Sequence, residues 1–296
     1  MWFRLINWLG IRWNVHPLFV LVMLGSIVTG YVAELVVLFA IVLVHELGHV
    51  AAAKAFGWRV REIKLLPFGG VAETEEAGTV PAAQEAAVAA AGPLQNVWMA
   101  AAAWALGRWA GWDEDWAAYI ARANVMIGLF NLLPVLPLDG GKLLQAAFSG
   151  GFPYHRTLHW GAALSLAFSA GMVAFACIPL NEGGVQLNLL AIGLFLFVSN
   201  WTYRRNLPFV FLRFLMHRGA ESEARREKGA PAAPIVVTGR QTVGGILRML
   251  RRGRYHLIYV TGEGGRLLGV LPEERVIERY LEVGRQGATL AELFPT

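Results

Sequence analysis

Apolar positions along the chain gather into six long runs, at about residues 15–31, 33–53, 84–106, 117–137, 158–179 and 185–203. Each approaches the roughly 20 residues that carry a helix across the hydrocarbon core of a bilayer. The pattern therefore predicts a polytopic α-helical membrane protein with about six transmembrane helices. Between the second and third runs, residues 62–76 read as two short strand-like pieces around Gly69 and Gly70, a dipeptide turn signal. That stretch predicts a membrane-associated β-hairpin whose acidic end, Glu73, Glu75 and Glu76, faces water. After Arg213 charge, Ala, Gly and Pro replace apolar periodicity, the profile of a flexible linker. From Pro234 the order strand, helix, strand, Gly-Gly turn, strand, helix predicts a small α/β domain, too small to bury an ample core alone and so expected to pair with a second copy. The expected domains are 1–205 in the membrane, a linker at 206–233 and the α/β domain at 234–296.

Composition agrees: 56% of the 296 residues are hydrophobic and 16% are charged, which excludes an ordinary soluble domain. The net charge of +5 is distributed by loop. Arg4 and Arg12 are followed by Glu34, then Lys54, Arg59, Arg61 and Lys64, then Asp113, Glu114 and Asp115, then Lys142 and Arg156, then Glu182, then Arg204 and Arg205. Only Arg108 interrupts the alternation, and the positive-inside rule places both termini in the cytoplasm. No DNA-binding pattern is present, so nucleic acid is not an expected partner. One cysteine, Cys177, rules out an intrachain disulfide. Tyr31 and Glu34, rather than a small-residue cleavage site, follow the first apolar run, which predicts a retained helix.

Chemistry concentrates in the second run, where Val44 to Val50 reads VHELGHV. His45 and His49 are four residues apart on one helical face, with Glu46 one residue round. Two such imidazoles hold zinc, and the adjacent glutamate can take a proton from a water that the ion acidifies. Ionisable groups at a helix centre cost about 2.5–3.5 kcal/mol each on insertion scales, and metal ligation compensates. A catalytic zinc asks for a third protein ligand. Asp139, in the stretch Asn131 to Gly141 where Pro134 and Pro137 interrupt helix bonding, is the candidate at membrane depth. It reads either as that ligand or as the cap of a helix beginning near Gly140. The third run holds Gly92, Pro93 and Asn96 among alanines, which read as close helix packing with Asn96 bonding across the core. His16, beside Pro17, reads as an interfacial residue rather than a ligand.

With HELGH at residues 45–49 and Leu138-Asp139-Gly140 far downstream, the chain resembles the site-2 proteases over about residues 10–203. Val15-His16-Pro17 and the N-x-x-P-x-x-P-L-D-G-G stretch bring it nearest to the sporulation branch of that family. The resemblance implies an intramembrane zinc metalloprotease in a bacterial membrane. It makes His45, His49 and Asp139 the zinc ligands, Glu46 the general base, and Asn131 an oxyanion or substrate-strand contact, and it implies a part in a substrate groove for Gly92, Pro93 and Asn96. It also implies a membrane-associated protein substrate, a sporulation sigma-factor precursor or instead an anti-sigma factor or remnant peptide, together with membrane inhibitor or regulatory partners. A spanning helix offers no free carbonyl, so substrate must unwind, and the hairpin around Gly69 and Gly70 could supply the edge for an extended strand. The C-terminal segment resembles one CBS motif, a module that pairs and binds adenine nucleotides such as ATP. Its ribose-reading positions are here Pro272 and Arg275, so that Arg275 would meet phosphate instead. The rival reading from another class is a scaffold or transporter with a structural zinc.

Overall fold

The computed structural model describes residues 3–8, 11–15, 17–66, 69–74, 78, 80–179, 186–227, 229, 231–283 and 289–290. His16, Glu75, Glu76 and Glu182 lie outside the described residues. The chain divides into two compact units, one of residues 1–77, 83–144 and 164–200, the other of residues 78–82, 145–163 and 201–296.

The first unit begins with a four-stranded sheet in the order β1 (Phe3–Trp8), β2 (Ile11–Val15), β3 (Val60–Leu66), β4 (Gly69–Thr74). The expected hairpin is thus half of a larger sheet. Ile11-Arg12-Trp13-Asn14-Val15 alternates apolar and polar residues, the strand period, and β2 runs parallel to β3, where Asn14 donates to Glu62 at 2.8 Å. Gly69 and Gly70 are the first residues of β4, paired with Leu66 and Leu65, rather than the turn itself. β4 is an outer strand of the sheet and packs against α2.

The six apolar runs fall in helices α1 (Pro17–Thr29), α2 (Val32–Ala55), α3 (Ala82–Trp109), α4 (Glu114–Asn131), α6 (Tyr154–Ala176) and α7 (Leu187–Glu227), and a further helix, α5 (Asp139–Gly151), lies between the fourth and fifth runs. By length and composition, α2 and α6 are able to cross a membrane. Gly57, at φ 78°, ends α2: its N–H reaches Lys54 O and that of Trp58 reaches Ala53 O, each at 2.9 Å, the left-handed closure that glycine favours. Asp113 starts α4 by accepting from Trp116 N at 3.0 Å.

Polarity in the helical part is inverted. Leu94, Val97, Trp98 and Trp104 on α3, Met126 and Leu129 on α4, and Trp160 on α6 are exposed. His45, Glu46, His49, Asn96, Asn124, Ser165, Ser169 and Asn200 are buried. An apolar exterior around a polar interior is the pattern of a protein whose solvent is lipid.

The fourth run extends to residue 137, and α4 stops within it at Asn131, ahead of Pro134 and Pro137, which were expected to interrupt helix bonding because proline cannot donate to a continuing helix. The interruption is bonded from neighbouring helices. Leu136 N donates to Ser165 Oγ at 2.9 Å, and Asn200 Nδ2 donates to Leu136 O at 2.6 Å. Non-helical backbone is tolerated at membrane depth where protein groups satisfy it in this way.

In the second unit, β5 (Ala232–Thr238) pairs in parallel with β6 (Tyr255–Thr261), and β6 antiparallel with β7 (Leu267–Pro272). Helices α8 (Val243–Leu247) and α9 (Glu273–Val283) pack on each other. The strand–helix–strand–strand–helix expectation agrees with this order. Residues 206–227, expected within a flexible linker, are helical and continue α7. The reason is a stripe of buried Leu207, Phe211, Phe214, Leu215 and Arg218, spaced i, i+4, i+7, i+8, i+11. These apolar residues share one core cluster with Tyr154, Leu158, Ile246, Leu250, Ile258 and Val276.

Candidate metal centre

Helical spacing brings His45 and His49 to one face of α2, and α5 opens with Asp139. The three side chains are 2%, 6% and 3% exposed. His45 Nε2 lies 3.1 Å and His49 Nε2 3.0 Å from Asp139 Oδ2, and the two ring nitrogens are 3.2 Å apart. A tetrahedron around zinc with bonds of about 2.0–2.2 Å has edges of about 3.3–3.6 Å, so the triangle is a few tenths of an ångström tighter than a zinc-filled one and would open by that much to hold the ion.

The surrounding hydrogen bonds determine which atoms face inward. Asn124 Nδ2 donates to Ile120 O at 2.9 Å, which leaves Asn124 Oδ1 to accept from Asn96 Nδ2 at 3.1 Å. Asn96 Oδ1 then faces His45 Nδ1 at 2.5 Å and accepts its proton. Val88 O, which only accepts, takes the Nδ1 proton of His49 at 2.7 Å. With both Nδ1 atoms protonated, each neutral Nε2 presents a lone pair. Those two lone pairs and the Asp139 carboxylate converge with no proton among them, and a cation relieves their repulsion. On the far side of Asp139, Lys142 Nζ holds Oδ1 at 3.0 Å, leaving Oδ2 for the centre.

Backbone approaches close the site. A Cβ at Gly92 would run into His49 Nε2 and His45 Nε2, so α3 passes the ligands only with glycine there. At Gly48 it would lie 2.8 Å from Ala91 O. At Gly140 and Gly141 it would meet the backbone of residues 132–136, which is how Asp139 comes to start a helix against that turn. Glu46, 4% exposed, stands in the same turn of α2 as His45.

His45, His49 and Asp139 are therefore brought together, and they form the one group of three metal-ligating side chains among the described residues. Asn96, a substrate-contact candidate, lies instead beneath His45 and is 2% exposed. Asn131 Nδ2 donates to Ile127 O at 3.1 Å, within its own helix. Gly69 and Gly70 lie on the outer strand β4. Arg275 is exposed on α9. Three contributors carry no signal in the sequence: Asn124, a lone asparagine outside any motif; Val88, which acts through its carbonyl; and Lys142, which looks like loop charge.

Comparison with known proteins follows the same lines. Residues 33–113 and 110–172 match the model of peptidase family M50. Stage IV sporulation protein FB of Bacillus subtilis is 34% identical over 289 residues, 97% of this chain and 98% of that one. A zinc metalloprotease of Methanocaldococcus jannaschii is 30% identical over 60% of this chain and 55% of its own length. The solved site-2 protease from Methanocaldococcus jannaschii superposes with a TM-score of 0.57 at 27% identity, over 69% of this chain and 95% of that structure.

Proposed function

Because the chain belongs to peptidase family M50, the site-2 proteases, and is an intramembrane zinc metalloprotease, we propose that it cleaves a membrane-associated sigma-factor precursor in a sporulating bacterium. His45, His49 and Asp139 hold the ion and Glu46 is the general base. The observation that carries the residue assignment is the meeting of three proton-free acceptors within 3.2 Å beside a buried glutamate. Glu46 has no counterpart in a purely structural zinc site, which leaves the scaffold or transporter reading without support.

When bound, zinc supplies Lewis-acid polarisation of the scissile carbonyl and acidifies water. Glu46 accepts the proton of the attacking water and returns it to the leaving amine. Asn96 and Val88 keep both imidazoles in the tautomer that ligates, and Lys142 keeps Asp139 turned toward the centre. Substrate binds as an extended strand along the open edge of β4, whose first residues are Gly69 and Gly70, with main-chain bonds giving affinity. Asn131 lies near the end of α4 as the contact for substrate backbone.

Six helices cross the bilayer, with both termini on the cytoplasmic side, and water reaches the ion from there. The C-terminal module, residues 234–296, is CBS-like and regulates the protease by pairing with a second copy, with Arg275 the contact for the phosphates of a weakly held ATP. Membrane inhibitor or regulatory proteins are the further partners. An anti-sigma factor or remnant peptide is the other substrate class. Co-expression with candidate precursors of both classes, followed by N-terminal sequencing of the products, tests the assignment. A new N-terminus within a sigma-factor precursor, absent with Glu46→Gln, is the expected result. Cleavage confined to anti-sigma substrates would reject the precursor.

A further inference from the structure

In the second unit a cavity of about 630 Å³ opens between the first turn of α6, the start of β5, helix α8 and the loop before β6. Arg156, Arg248, Arg251 and Arg254 line it, and no carboxylate does. All four arginines are exposed. Between them Pro153, Ile235 and Met249 give the wall an apolar part, and His155 and His256 also line it. Neither peptide hydrolysis nor the Arg275 position uses this cavity.

The loop that carries two of the arginines is held from behind. Arg218, 6% exposed on α7, donates through Nη1 to Arg251 O at 2.8 Å and through Nη2 to Arg254 O. Its other bonds run to both oxygens of the buried Glu273 at 2.9 Å each and to His256 Nδ1 at 3.0 Å. Gly253, at φ 73°, makes the turn between the two carbonyls. Arg251 and Arg254 thus project from a clamped backbone. Four guanidinium groups around one cavity without a counter-charge repel each other, and an anion removes that cost. The planar fork of arginine matches phosphate in a bidentate manner.

Placement decides the source of the phosphate. Pro153 and Arg156 flank the first residues of α6, a helix apolar and long enough to cross a bilayer. The first turn of a spanning helix lies at the level of the headgroups, where basic side chains meet anionic lipid. We propose that this cavity binds the phosphate of an acidic phospholipid headgroup, with the lipid's apolar part against Pro153 and Met249, and so holds the C-terminal module at the bilayer surface. The inference rests on α6 crossing the membrane and not on the zinc chemistry, so its test reads binding rather than cleavage.

The full chain, purified in neutral detergent, is titrated with short-chain phosphatidylglycerol, short-chain phosphatidylcholine and inorganic pyrophosphate, with binding read by native mass spectrometry. Phosphatidylglycerol should bind at least about tenfold more tightly than phosphatidylcholine. Each of Arg156→Gln, Arg248→Gln, Arg251→Gln and Arg254→Gln should weaken it by about fivefold, the worth of one arginine at a charged lipid surface. Arg275→Gln, outside the cavity, should change nothing, and zinc content should stay constant throughout. Pyrophosphate should compete with phosphatidylglycerol in the wild-type protein, a comparison that needs no variant. Equal binding of the two lipids would overturn the proposal. So would pyrophosphate binding that depends on the four arginines but is not displaced by phosphatidylglycerol, which would assign the cavity to a soluble phosphate compound.

Discussion

Asn96→Leu removes the acceptor of the His45 Nδ1 proton while keeping a side chain of similar volume at a site that is 2% exposed. Two losses combine. The buried N–H is left without a partner, at about 1–3 kcal/mol, and the imidazole is no longer confined to the tautomer whose Nε2 lone pair faces Asp139. Partners of this kind are worth about 10–100-fold in metal affinity, and that is the expected fall in zinc affinity. Asn124→Leu should act in the same direction by less than about tenfold, because it breaks only the next link, Asn96 Nδ2 to Asn124 Oδ1 at 3.1 Å, and leaves the His45 contact in place.

The assay is competition for zinc between the purified full chain and a chromophoric chelator, with cleavage measured at saturating zinc. Excess metal should restore most of the activity of Asn96→Leu, since the base and all three ligands remain. Zinc affinity within twofold of wild type in a folded Asn96→Leu protein would refute the tautomer argument. An effect of Asn124→Leu larger than that of Asn96→Leu would refute the direction of the chain.

Glu46→Gln should keep wild-type zinc content and lose cleavage by about 10²–10⁴-fold, whereas His45→Ala and Asp139→Ala should lose both; metal analysis beside a cleavage assay separates the cases. Gly92→Ala places a methyl group against both Nε2 atoms and should abolish zinc binding, while Gly171→Ala, with open space around its Cβ, should not. Arg218→Ala leaves the carboxylate of Glu273, 1% exposed, without its guanidinium partner and should destabilise the second unit by about 3–5 kcal/mol, seen as a lower thermal midpoint that Arg218→Lys fails to rescue. In a Cys177→Ser background, thiols introduced at Asp113 and Glu227 should label from opposite sides of intact cells or vesicles; labelling from the same side would reject the six-span orientation.

The parts of the site that could be read from sequence are those that announce themselves by spacing. His45 and His49 are one helical turn apart, and Asp139 is a carboxylate at membrane depth beside prolines that break a helix. What escaped works through geometry that sequence does not display. Val88 contributes a carbonyl, which every residue has. Asn124 becomes meaningful only once α3 and α4 are seen to place it against Asn96. Lys142 looks like loop charge until α5 turns it back on Asp139 at 3.0 Å. Strands β1 and β2 were not anticipated: Ile11 to Val15 alternates apolar and polar residues over only five positions, its partner β3 is about 50 residues away, and no local pattern states that pairing. At the other end, the polar composition after Arg213 concealed a helix whose apolar stripe begins at Leu207.

That stripe alters what a truncation can report about regulation. A flexible linker would allow the C-terminal module to be removed without disturbing the helices. Leu207, Phe211, Phe214 and Leu215 instead share a core cluster with Ile246, Leu250, Ile258 and Val276 of the module. Ending the chain at Gly229 would expose four large side chains, each worth about 1.5–3 kcal/mol when buried. Their sum, about 6–12 kcal/mol, is the size of a whole domain's stability. Lost cleavage after truncation is therefore the expected result whether or not the module regulates the protease. Regulation has to be sought with exposed substitutions that leave the cluster intact, such as Arg275→Gln on α9. A changed dependence of cleavage on added nucleotide, at unchanged thermal midpoint, would identify control by the module, and an unchanged dependence would leave it a structural part of the fold.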